Sequence, residues 1–205
     1  MTAPLPELET RLGLAARLHR LGLPQLAEQT LRRAAEAYPQ STRIVRRLAA
    51  LVLQEGDAER AASILAPALG SDPDPSSLLV AGESTLAAGR LEEAGRHFDD
   101  ALAQADGDPD MAGRALVGAA RVAVRREEPA EALRRAKEAA RLAPLSPNLA
   151  RAIGDLGGQL RAWSRLKDAV EELRRERSDE AAVHYLLARL LAAGWTEEDI
   201  RAALG

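Results

Sequence analysis

Apolar and small residues return along this chain at the same places about every 34 residues, a spacing that predicts a string of helix pairs. A shift of 34 superposes Leu14, Ala15, Gly22, Ala27, Leu31, Ala34 and Pro39 on Leu48, Ala49, Gly56, Ala61, Leu65, Ala68 and Pro73. A further step of 33 aligns Ala81, Gly82, Gly89, Ala94, Phe98 and Ala101. A step of 38 then brings Ala119, Ala120, Ala132, Ala136, Ala139 and Pro144 into register. Alanine matches are cheap in a chain with 43 Ala and 33 Leu, so the Gly and Pro coincidences carry most of the weight. The extra residues before the fourth repeat fall between Gln104 and Asp110, a polar Gly/Pro stretch where an insertion disturbs only a loop.

Each repeat predicts a first helix ended by glycine, as at Gly22, and a second followed by proline, as at Pro39. Ala15, Ala27 and Ala34 allow the two helices to approach to the short end of the ~8–10 Å range, and Leu14, Leu18 and Leu31 are expected to fill the spaces between. Pro67 should kink or shorten the second helix of repeat two after Ser63, because it removes a backbone donor. The fifth repeat is degenerate. Ser146 and Pro147 open it well, but Gly157 and Gly158 fall inside its first helix. A last pair follows, closed by Gly194 and reopened at Thr196, with Trp195 and Ile200 as a hydrophobic staple. The expected layout is a flexible N-terminus over 1–7, then five pairs at 8–38, 42–71, 75–105, 110–143 and 147–176, and a capping pair over 179–205.

These columns of Leu-Ala, Gly, Ala, Leu, Ala and Pro resemble the tetratricopeptide repeat, well over residues 8 to 144 and loosely beyond. The resemblance implies an all-α protein, an α-solenoid of about six antiparallel helix pairs wound as a right-handed superhelix. It also implies that first helices line a concave groove while second helices face outward.

Composition narrows the chemistry. Aromatic residues make up 2% and β-branched residues are scarce, which argues against a large sheet. No uncharged apolar run approaches the ~18 residues needed to span a membrane, and residues 1–13 lack the basic and apolar regions of a secretion signal. A cytoplasmic, soluble protein without a membrane partner is expected. Zero cysteines remove thiolate nucleophiles, disulfides and cysteine zinc sites. His19, His97 and His184 belong to different repeats, and no catalytic or phosphate-binding motif is present. The sequence therefore predicts no enzyme, no catalytic residue, no metal site and no cofactor.

Net charge is -3, yet the positions that the resemblance assigns to the groove are basic. They are Glu9, His19 and Arg20 in repeat one, Arg43, Arg46 and Arg47 in repeat two, and Leu79, Val80, Glu83 and Leu86 in repeat three. Repeat four supplies Arg114, Val117, Arg121, Val124 and Arg125; repeat five supplies Asn148, Arg151 and Asp155; repeat six supplies His184 and Tyr185. The guanidinium fork suits carboxylates, so an adaptor or scaffold that binds an acidic segment or an amphipathic helix is expected, with Leu79, Val80, Leu86, Val117 and Val124 as apolar anchors. Only Lys137 and Lys167 among the 28 basic residues are lysine, so an arginine-rich solvated face is the alternative. The Lys and Asn that chaperone-tail-binding relatives use are absent from repeats one to three. An RNA-binding helical repeat is disfavoured by the few aromatics available for stacking, and self-assembly of groove on edge into a homo-oligomer is a further alternative.

Overall fold

The computed structural model describes residues 5–70, 73–142 and 147–160, and among them the regular structure is wholly helical. The chain divides after Arg90 into two compact units. The N-terminal unit holds α1 (Leu5–Arg20), α2 (Pro24–Ala37), α3 (Thr42–Gln54), α4 (Ala58–Leu65) and α5 (Pro75–Ala87). The C-terminal unit holds α6 (Leu91–Ala103), α7 (Pro109–Arg125), α8 (Pro129–Leu142) and α9 (Pro147–Leu160). Helix α1 begins at Leu5, inside the segment that the sequence leaves unstructured. The fifth pair's second helix and the capping pair lie outside the described residues, with Trp163 and Trp195.

Local chemistry sets the helix boundaries. Proline stands in the first turn of α2, α5 and α7, where its missing N–H costs nothing. Asp57 accepts from the Arg60 N–H, Asp74 from the Ser77 N–H, and Asp108 from the Asp110 and Met111 N–H groups, so three helices are capped by carboxylates. Pro67 acts as its position predicts: α4 stops at Leu65 and continues only as a 3-10 turn, Ala66–Ala68.

The first helices of four repeats end on one hydrogen-bond pattern. The Leu23 N–H bonds to the Leu18 carbonyl, Asp57 to Val52, Arg90 to Thr85 and Glu128 to Ala123, each reaching back five residues. The preceding residue bonds back three in each case, and the two bonds together satisfy carbonyls that would otherwise be orphaned. This closure requires a left-handed residue. Gly22 and Gly56 supply it at φ of 73° and 90°, but in repeat four the same place is held by Glu127 at φ of 61°.

Packing follows the repeat columns. In the N-terminal unit one core joins Leu12, Ala15, Ala27, Leu31, Ala34, Ile44, Leu48 and Val52, and a second joins Ala49, Leu65, Val80 and Ala81. In the C-terminal unit Phe98 is almost fully buried, and glycine at 118 makes room for its ring: a Cβ there would lie 2.2 Å from Phe98 Cε1. Arg135 on α8 reaches Asp99 on α6 at 2.9 Å and Glu131 at 2.8 Å. Arg134 and Arg135 together hold the Glu131 carboxyl at about 2, below its usual 4.5. One expectation fails. Leu14 does not fill the space between helices but is 48% exposed, whereas its counterparts Leu48 and Ala81 are buried.

The Glu127 turn generates a prediction. A left-handed non-glycine residue costs roughly 1–2 kcal/mol, and glycine's greater freedom in the unfolded chain takes back roughly 0.5–1 kcal/mol. Glu127→Gly should therefore raise stability by about 0.5–1 kcal/mol in urea unfolding. A lower midpoint would mean that the Glu127 side chain contributes more than its backbone costs.

Candidate functional site: a basic cleft between α1 and α3

Helices α1 and α3 are separated in sequence by α2, whose Leu31 forms part of the floor between them together with Leu12, Ala15 and Leu51. Above that floor the facing positions are small. Gly13 and Ala16 on α1 stand opposite Ala50 on α3, and the missing bulk leaves a cleft of about 610 Å³. That size is ordinary for a ligand site. Its rim is polar: Glu9, His19 and Arg20 from α1, Arg43, Arg47 and Gln54 from α3.

The rim charges do not cancel. Arg43 donates through both terminal nitrogens to the Glu9 carboxylate, its Nη2 lying 3.2 Å from Oε2, which neutralises the one acid of the cleft. Arg20 and Arg47 are exposed and have no hydrogen-bond or ion-pair partner among the described residues. His19 is half-buried, and its Nδ1 is shielded from solvent without a hydrogen bond. Two guanidinium groups beside an apolar floor can pair with carboxylates while neighbouring apolar atoms settle on the small residues. Among the described residues no cluster of His, Cys, Asp and Glu could hold a metal ion, and no helix is long and apolar enough to cross a membrane.

The other groove positions divide. Arg46 turns away from the cleft to Asp74 at 2.6 Å, and the same carboxylate caps α5 through the Ser77 N–H at 3.1 Å. Its charge is therefore engaged within the N-terminal unit. Leu79 has no exposed surface, Val80 is 7% exposed and Val117 is 3% exposed, so these three belong to the core and are corrected from anchors to packing residues. Helix α5 explains two of them. It is buried along most of its length, and even its Ser84 and Thr85 hydroxyls bond back to the Val80 and Ala81 carbonyls instead of facing solvent. Glu83 and Leu86 are half-buried on α5. In the C-terminal unit Arg121 and Val124 are half-buried on α7, Arg114 and Arg125 are exposed there, and Arg151 is exposed on α9, which packs on α7. His184 and Tyr185 lie outside the described residues. Gly13, Ala16 and Ala50 share repeat positions with Arg47, Glu83 and Arg121 but carry no charge, so a pattern of charges along the sequence does not single them out.

Comparison with known proteins places this geometry. Residues 18–81 match the tetratricopeptide repeat family model. No curated protein matches the sequence. Among solved structures the chain is similar to pilF of Pseudomonas aeruginosa, with a TM-score of 0.65 at 23% identity over 96% of this chain and 86% of that one. It is similar also to a thermophilic tetratricopeptide-repeat protein of Thermus thermophilus, with a TM-score of 0.60 at 18% identity over 91% and 98%. MamA (residues 41 to the end) of Desulfovibrio magneticus RS-1 gives a TM-score of 0.62 at 16% identity over 88% and 100%. At such identities the likeness is one of fold.

The double duty of Asp74 yields a testable difference. Arg46→Ala removes only a partly exposed ion pair, worth about 0–1 kcal/mol, whereas Asp74→Ala also removes a helix cap worth about 1 kcal/mol. Thermal unfolding should show the larger loss for Asp74→Ala. Equal losses would mean that the cap contributes nothing beyond the pair.

Proposed function

We propose that this chain, a tetratricopeptide-repeat protein by its match over residues 18–81 and by its fold, is a non-enzymatic protein-binding module that seats an acidic segment in the α1–α3 cleft. The observation that carries the reading is the pair of rim arginines, Arg20 and Arg47, whose charge no described residue answers. An extended segment suits the cleft better than a compact ligand, because the space runs along two helices and is open to solvent. Carboxylates of the segment would take the two guanidinium forks, and small apolar side chains would rest on Gly13, Ala16 and Ala50.

A fluorescein-labelled peptide of alternating Glu and Leu tests this by anisotropy. Arg20→Glu and Arg47→Glu should each weaken binding about tenfold or more, and raising salt should weaken the parent protein likewise, since exposed pairs are screened beyond ~8 Å at physiological ionic strength. Arg96→Glu, on an exposed position of α6, should bind as the parent does. Full affinity in both cleft variants would remove the site from the cleft.

A further inference from the structure

We propose that Glu9 decides where along the α1–α3 cleft a partner's charge can lie, so that the cleft selects a segment acidic at one end and uncharged at the other. This rests on the cleft being the seat of an acidic segment, and adds an order along it. Glu9, Gly13 and Arg20 on α1 stand one repeat of 34 residues before Arg43, Arg47 and Gln54 on α3, and all six line the cleft. The bond from Arg43 to Glu9 joins the first members of the two sets, so the walls run in register. The levels of the cleft then carry, in order, a neutral ion pair, the charge of Arg47, the small pair Ala16 and Ala50, and the charge of Arg20.

The first level differs in kind from the others. Arg43 gives both terminal nitrogens to Glu9, so the guanidinium fork that would take a partner's carboxylate already holds one from the chain itself. A second carboxylate arriving there meets an occupied fork, or displaces Glu9 and leaves two acids beside one guanidinium. Like charges are brought together in both cases, which is how an interface rejects a wrong partner.

Folding gives little reason for the acid at this place. Glu9 and Arg43 are each about half exposed, and such pairs contribute little to stability. Glu9 also lies beyond the first turn of α1, where Glu7 already meets the positive end of the helix dipole. Its counterparts in the next three repeats are Arg43, Ser76 and Arg114, so among these four the acid belongs to the first alone. From the level of Arg47 to that of Arg20 is about 10 Å along the helices, or about three residues of extended chain. Acids that close together in a partner can reach both arginines, while its residues beyond Gly13 toward Glu9 have to be uncharged.

Anisotropy titrations of the full chain should compare the alternating Glu and Leu peptide with two versions in which Gln replaces Glu in the N-terminal or the C-terminal half. On the parent, one half-acidic peptide should bind at least as tightly as the alternating one. Glu9→Gln should tighten the alternating peptide about three- to tenfold and leave that half-acidic peptide within about twofold. Glu36→Gln, the same charge change at an exposed position of α2, should alter neither. Arg43→Gln, which strips Glu9 of its partner, should weaken the alternating peptide several-fold. The double variant Glu9→Gln with Arg43→Gln should return it to the parent's affinity, because Arg43 acts through Glu9 and not on the peptide. All variants should keep the parent's helicity by circular dichroism. An alternating peptide indifferent to Glu9→Gln, an equal gain for both peptides, or a double variant as weak as Arg43→Gln would overturn the role of Glu9 and leave the cleft as the site. A parent chain that binds none of the peptides would overturn the cleft reading and this one together.

Discussion

Two helices can lie at the short end of the ordinary interaxial range only where nothing larger than a methyl group stands between them, and that constraint governs this molecule. Ala27, Ala61 and Ala132 occupy one column of the repeat on α2, α4 and α8, and none has any exposed surface. Ala27 and Ala61 share one core with Leu12 and Ala15 of α1 and Ile44 and Leu48 of α3, so small residues stand where each pair's two helices meet. The turn between the helices has to be short, hence the left-handed residue that closes the first helices. The large side chains Leu31, Leu65 and Phe98 have to fit around the small ones. In the C-terminal unit the same demand is met more severely. Gly113 leaves space for Leu149, whose Cδ2 would lie 2.2 Å from an added Cβ, just as Gly118 leaves space for Phe98.

Much of this is legible in the sequence because it is local or periodic. Helix ends at Gly22 and Gly56, the early stop before Pro67 and the burial of Phe98 all depend on residues whose effect hardly changes with surroundings. What the sequence conceals is which neighbour a given face meets. Leu14 and Leu48 share a column and look alike, yet one is exposed and the other buried, Leu48 packing in one core with Leu31 and Ala34 of the preceding hairpin. Leu79 and Val80 occupy on α5 the positions that Arg46 and Arg47 occupy on α3, but α5 is enclosed and its apolar residues go into the core.

The candidate site shows the same division. Arg43 and Arg47 lie on the face of α3 that meets α1, where they line one cleft with Glu9, His19 and Arg20. Which arginine keeps a free charge is a separate matter, decided by contacts between residues far apart in the chain. Arg43 meets Glu9 from the preceding repeat, and Arg46 meets Asp74 from the following one. A count of eight basic groove positions therefore overstates the charge available to a ligand, and the cleft's character comes from the two arginines left over and the small residues beneath them.

The alanine column can be tested directly by urea unfolding of Ala27→Leu, Ala61→Leu and Ala132→Leu. If these methyl groups set the helix spacing, each variant should lose roughly 1–3 kcal/mol by overpacking, although leucine is as good a helix former as the sequence could offer in their place. Three variants with the parent's stability would show that the helices are not held at that spacing, and the account of the fold would fail with them.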